Sequence, residues 1–116
     1  MPQVLIDGVV YEAIATIPMV APVVVPPTLS NASGTITAGG TAQTIIAADA
    51  GGYHYSVQNN SAGDLWINSL ATAIIGQPSL KLATGDYYET PDSLMVTGAL
   101  SIIGATTGQT FTARKW

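Results

Sequence analysis

The chain has no cysteine and very little charge. Without thiols, disulfides, thiolate metal sites and cysteine nucleophiles are all excluded. The redox compartment stays open, because a cysteine-free protein works in either. Charged residues make up 9% of the sequence, where ordinary soluble domains carry roughly 25%. Only Lys81, Arg114 and Lys115 are basic, against seven acids. Three cations cannot build the patch that phosphate neutralisation requires, so nucleic-acid binding is disfavoured and no nucleic-acid partner is expected. A long apolar run is missing too. Residues 13–25 are uncharged, but Pro18 and Pro22 interrupt them, and the run is too short to span a bilayer. No basic region precedes it, and Asp7 and Glu12 sit where one would fall, so neither a signal peptide nor a membrane is expected.

Thr, Ser, Asn, Gln and Gly take the place of charge, beside a hydrophobic share of 47%. These polar groups cost far less to desolvate than a full charge. A surface that meets water everywhere needs charge to stay soluble. The composition therefore implies that copies of the chain, or another protein, cover much of the surface; the alternative is an acidic, poorly soluble monomer. The length of 116 residues suits one domain with a modest core.

At the N-terminus, Val4-Leu5-Ile6 and Val9-Val10-Tyr11 flank Asp7-Gly8, a strong signal for a tight hairpin. Its apolar residues are continuous, so both faces need cover. Residues 14–27 read IATIPMVAPVVVPP. Prolines at 18, 22, 26 and 27 forbid helix and leave a stiff, extended path. Ile17, Met19, Val20, Val23, Val24 and Val25 would each cost about 1.5–3 kcal/mol if left in water. The segment either packs along its own domain or is an arm that lies on a neighbouring subunit, and the second reading is adopted. Val4, Leu5, Ile6, Val9 and Val10 join it as candidate contact residues. Residues 30–40, rich in Gly, Ser, Thr and Asn, mark a boundary, giving a hairpin and arm over 1–38 and a domain over 39–116.

Beyond the boundary, short β-favouring runs fall at 44–48, 53–58, 64–68, 79–83, 86–89, 94–96, 99–103 and 109–115, separated by turn residues. The last two read as a hairpin closed by Gly104-Ala-Thr-Thr-Gly108. In the second arm, Phe111, Ala113 and Lys115 lie on one face and Thr110, Thr112 and Arg114 on the other. In Ser79-Leu-Lys-Leu-Ala83, Leu80 and Leu82 are expected to face inward. Residues 69–75 have some helical appeal but are too few for a stable helix. The fold class is all-β, an antiparallel sandwich or jelly-roll-like domain of about eight short strands behind a proline-rich arm.

No constellation points to catalysis. His54, between Tyr53 and Tyr55, reads as a packed or interfacial side chain, and nothing resembles a nucleophile elbow. Asp86, Glu89 and Asp92 cluster around Tyr87-Tyr88, but their spacing does not match an EF-hand loop; they read as a solvated turn. No catalytic residue, cofactor or metal is expected, and the chain is read as a non-enzyme. Asn31-Ala-Ser33 and Asn59-Asn-Ser61 match the glycosylation sequon, a motif common by chance. Trp66 lies opposite Leu65 and Ile67, so one of those faces is core and the other shows apolar bulk to solvent or a partner. Trp66 and Trp116 are the candidate contact residues of the domain. An aromatic sugar platform, at Trp66 or Tyr88, is the alternative.

Two stretches carry a family resemblance: Asn59-Asn-Ser-Ala-Gly-Asp-Leu-Trp-Ile-Asn68, and residues 98–116 with Gly104-Ala-Thr-Thr-Gly-Gln109 followed by Phe111-Thr-Ala113 and a terminal Trp. Together with Gly85-Asp-Tyr-Tyr88 they resemble small virion proteins of tailed bacteriophages and prophages, over residues 39–116. The resemblance implies a capsid decoration or cement protein, made in the host cytoplasm and placed on the capsid surface. Its implied partners are the major capsid protein and copies of itself, as a homotrimer. A tail, collar or fibre component is the alternative. No catalytic residue comes with either.

Overall fold

A computed structural model describes residues 28–116; the expected N-terminal hairpin and the arm over 1–27 lie outside the described residues. Nine short strands form among those described: β1 (Ser30–Asn31), β2 (Gly34–Thr35), β3 (Gln43–Ile46), β4 (Tyr55–Asn59), β5 (Leu65–Asn68), β6 (Leu80–Leu82), β7 (Tyr87–Glu89), β8 (Leu100–Gly104) and β9 (Thr110–Lys115). They make two antiparallel sheets. In the first, β1 and β2 both pair with β9, followed by β4 and β7; the second runs β3-β8-β5-β6. Among the described residues no helix is long and apolar enough to cross a membrane.

The two-residue period of each strand decides which side chains meet between the sheets. From the first sheet come Tyr55, Val57, Phe111 and Ala113, and from the second Leu65, Ile67, Leu82, Leu100 and Ile102. Burying each large apolar side chain contributes about 1.5–3 kcal/mol, so two sheets that are individually marginal hold each other in place. The outward residues of β9, Thr110 and Arg114, are exposed as the alternation requires.

Four local expectations are corrected. Strands β8 and β9 do not form a hairpin: β8 lies in the second sheet between β3 and β5, and β9 in the first between β4 and the β1–β2 edge. The turn over 104–109 carries the chain from one sheet to the other. Gln109 accepts a hydrogen bond from the Thr106 amide at 3.0 Å and is itself buried, which fixes the turn as an arch. Residues 30–36 belong to the sandwich and not to a boundary ahead of it. Gly34 pairs with Phe111, and Ile36, 1% exposed, enters the core. Gly34 sits against the Phe111 ring, which lies 3.5 Å from where a Cβ would stand, an ordinary contact distance. Leu82 is buried, but Leu80, paired with the core residue Ile67, is half exposed because β6 is the outermost strand of its sheet. Residues 94–96 contribute only an isolated bridge, Tyr53 to Val96.

Candidate interaction surface

The two stretches that carry the resemblance meet in space. Asn59 is fully buried at the end of β4. Its amide nitrogen donates to the carbonyls of Gly63 at 2.7 Å and Leu82 at 2.8 Å. Its Oδ1 accepts from the Ser61 amide at 2.8 Å and the Ser61 hydroxyl at 2.7 Å. Gln109 Nε2 then donates to Ser61 Oγ and to the Asp64 carbonyl, both at 3.1 Å. This network ties β4 of one sheet to β6 and the β5 entry of the other. It also removes Asn59 from any sequon reading of the folded chain, since the amide nitrogen is buried and committed.

A second polar row lies on the outer face of the four-stranded sheet, where Asn68 pairs with Ser101. Asn68 Oδ1 accepts from the amides of Leu70 and Ala71 at 2.8 and 2.9 Å. Ser101 Oγ accepts from Ala73 N and Ser79 Oγ from Ile74 N, each at 2.9 Å. Residues 69–78 thus fold back over this face as a hydrogen-bonded loop. Serine and asparagine satisfy backbone amides that a helix would have paired internally. The loop buries Ala73 and turns its larger apolar side chains outward: Leu70 is 95% exposed, Ile75 53% and Ile74 45%.

That loop borders the side of the sandwich where β6 and β7 are the last strands of their sheets. Between them runs a groove of about 200 Å³ lined by Tyr55, Ile67, Asn68, Leu70, Pro78, Leu80 and Tyr88, among others. Tyr55 and Ile67 belong to the core; Leu80 is 48% exposed. Tyr88 leans inward, its ring 5.7 Å from that of Tyr55. Burial, offset in part by a hydrogen bond with Ser69, pushes the Tyr55 hydroxyl up to about 12. Tyr53 is raised too, by burial and then by the Asp49 charge, and its hydroxyl donates to the Gly98 carbonyl at 2.6 Å.

The remaining sequence candidates are scattered. Trp66 is half-buried on the outer face, paired with Ile103 on one side and Lys81 on the other, while Leu65 and Ile67 beside it are fully buried. Lys81 in turn reaches Asp64 at 3.5 Å. Trp116 closes the β4–β9 ladder: His54 N donates to Trp116 O at 2.7 Å, Trp116 N donates to His54 O at 3.0 Å, and the two rings stack at 6.1 Å. The His54 ring also lies 3.3 Å from the Thr90 hydroxyl. The three acids are apart in role. Asp86 accepts from Ala83 N in the β6–β7 turn, Glu89 accepts from the Tyr87 hydroxyl at 2.6 Å, and Asp92 is exposed. The Glu89 contact raises the Tyr87 hydroxyl. Among the described residues no three His, Cys, Asp or Glu side chains group as metal ligands.

No protein-family model matches the chain, and the comparison with curated proteins finds no match. Among solved structures the chain is similar to one described as "Bacillus endospore appendages form a novel family of disulfide-linked pili". The identity is 18% and the TM-score 0.48, over 76% of this chain and 83% of that one.

Proposed function

We propose that the chain is a structural subunit that works by assembly, as a capsid decoration or cement protein of a tailed bacteriophage. In this reading it sits on the capsid surface as a homotrimer held to the major capsid protein and to its own copies, with residues 1–27 as the clamp. The observation that carries the assembly reading is the exposed aliphatic margin of Leu70, Ile74, Ile75 and Leu80 beside the edge groove, on a domain with too little charge to be at ease as a lone monomer. The virion setting rests on the motif resemblance at 59–68 and 98–116. Weak individual contacts suffice for such a subunit, because three linked arms raise the effective concentration of each. A sugar platform is less favoured, since Tyr88 turns inward to Tyr55 and Trp66 is covered on one side by Ile103.

The test is attachment to phage heads that lack the protein. The full chain should co-sediment with them, and a variant without residues 1–27, checked for its β signature by circular dichroism, should not. Attachment that survives the deletion removes the arm from the account.

A further inference from the structure

We propose that residues 70–75 form a latched strap, which swings off the outer face of the four-stranded sheet as one unit while both sheets stay folded. Contact through its own Leu70, Ile74 and Ile75 locks it down. The lock deepens the assembly reading and rests on that aliphatic margin being a contact surface; the opening does not depend on it.

The strap lies within the connection from β5 to β6, and Ile67 pairs with Leu80 just inside the two ends of that connection. The sheet itself holds those ends together, so the segment between them can leave without unpairing a strand. Its roots are defined. Ser69 is bonded to Tyr55, and its carbonyl packs on Gly98, 2.7 Å from where a Cβ would stand. At the far end Gly76 has φ +119° with open space around it, a conformation suited to a hinge. Among the described residues, 70–75 make no backbone-to-backbone hydrogen bond. Side chains alone hold the strap: Asn68 Oδ1 takes the amides of Leu70 and Ala71, Ser101 Oγ that of Ala73 and Ser79 Oγ that of Ile74.

Packing adds little to that latch. Ala73 is the one buried residue of the strap. A recess of about 460 Å³ separates it from the β3 side, where Gln43 and Thr44 stand, and the groove of about 200 Å³ flanks it on the β6–β7 side. Beneath it the Asn68 Nδ2 is enclosed without an acceptor, a cost of the closed form that opening to water removes. Few buried contacts and a backbone held only by side chains place a segment at the low end of local stability. The same bonds explain the lock. They fix the amides of Leu70 and Ile74 themselves, so the closed strap sets the positions of the exposed aliphatic side chains and an open strap disperses them. A contact that requires the closed form must in turn stabilise it, by linkage.

Hydrogen exchange at single-residue resolution tests both parts on the full chain. In the free protein the amides of Leu70, Ala71, Ala73 and Ile74 should share one opening constant. They should exchange about 100-fold or more faster than those of Val57 and Ile102, and low urea should leave them unchanged, because the opening exposes little new surface. Ser101→Ala removes the acceptor of Ala73 alone, yet all four amides should speed up by about tenfold with Val57 unaffected. Ser79→Ala, which acts through Ile74, is the second variant should Ser101→Ala fold poorly. On chain retained by phage heads the four amides should slow by about tenfold or more. Four unrelated rates, or exchange only together with Val57 and Ile102, overturn the strap. Unchanged exchange in retained chain overturns the lock and leaves the opening. A chain that heads do not retain removes the capsid reading and the lock with it, while exchange in the free chain still decides the opening.

Discussion

Replacing Asn59 is the sharpest test of how the two sheets are held in register. The side chain makes four hydrogen bonds of 2.7–2.8 Å in a fully buried position. Each is worth about 1 kcal/mol net, and a buried partner left unpaired costs about 1–3 kcal/mol. Asn59→Ala abandons the Gly63 and Leu82 carbonyls and both Ser61 donors, although Ser61 Oγ retains the Gly63 carbonyl at 3.0 Å. The expected loss is about 3–5 kcal/mol, a large share of the roughly 5–15 kcal/mol by which domains are stable. Urea unfolding, followed by the fluorescence of Trp66 and Trp116, measures it. Asn59→Asp sharpens the reasoning. It keeps an acceptor for Ser61 but aims its second oxygen at two carbonyls, so the folded state raises the carboxyl's proton affinity. A group raised on folding is stabilising below its unfolded value of about 3.9 and loses that contribution as pH rises. The Asp variant should therefore be closer to wild type at pH 4 than at pH 7. A cost below about 1 kcal/mol for Asn59→Ala, or an Asp variant indifferent to pH, would refute the network.

Further expectations concern the outer loop and the tyrosines. Ser101→Ala should cost about 1–3 kcal/mol by orphaning the buried Ala73 amide, and hydrogen exchange should quicken in residues 69–78 ahead of the core strands. Stability should also fall at high pH. Tyr55, near 12 in the folded chain, is ordinary when unfolded, so its contribution is intact below pH 10 and is lost between about pH 10 and 12. Because the ring lines the groove, screening by water reduces the effect to about 1–2 kcal/mol; Tyr55→Phe should flatten this alkaline decline in thermal melts.

The sequence made the strands legible where alternation was clean. Phe111 and Ala113 in β9, and Leu65 and Ile67 around Trp66, face the core as their period of two requires. Partnership was not legible. Gly104 and Gly108 suit a hairpin and an arch equally, and the buried Gln109 that selects the arch is a long-range choice. Residues 30–36 looked like punctuation because Gly, Ser and Asn are turn formers, yet they pair with β9, a long-range partner that local composition does not reveal. Asn59 read as turn punctuation and Asn68 as the last residue of a strand; only the folded arrangement shows one as a sheet-to-sheet staple and the other with a buried amide nitrogen that lacks an acceptor. The exposed aliphatics of 69–78 carried a faint signal, Ser69-Leu-Ala-Thr-Ala-Ile-Ile75, too short for a helix and too apolar for an ordinary loop.

The central claim is assembly on a capsid, and copy number tests it most directly. Purified full chain is mixed with phage heads lacking it, and copies retained per particle are counted after sedimentation. The account predicts copies in proportion to the shell's lattice, on heads that better resist heat or chelator. Retention of only a handful would place the chain at a single vertex or on a tail, and no retention at all would contradict the capsid reading outright.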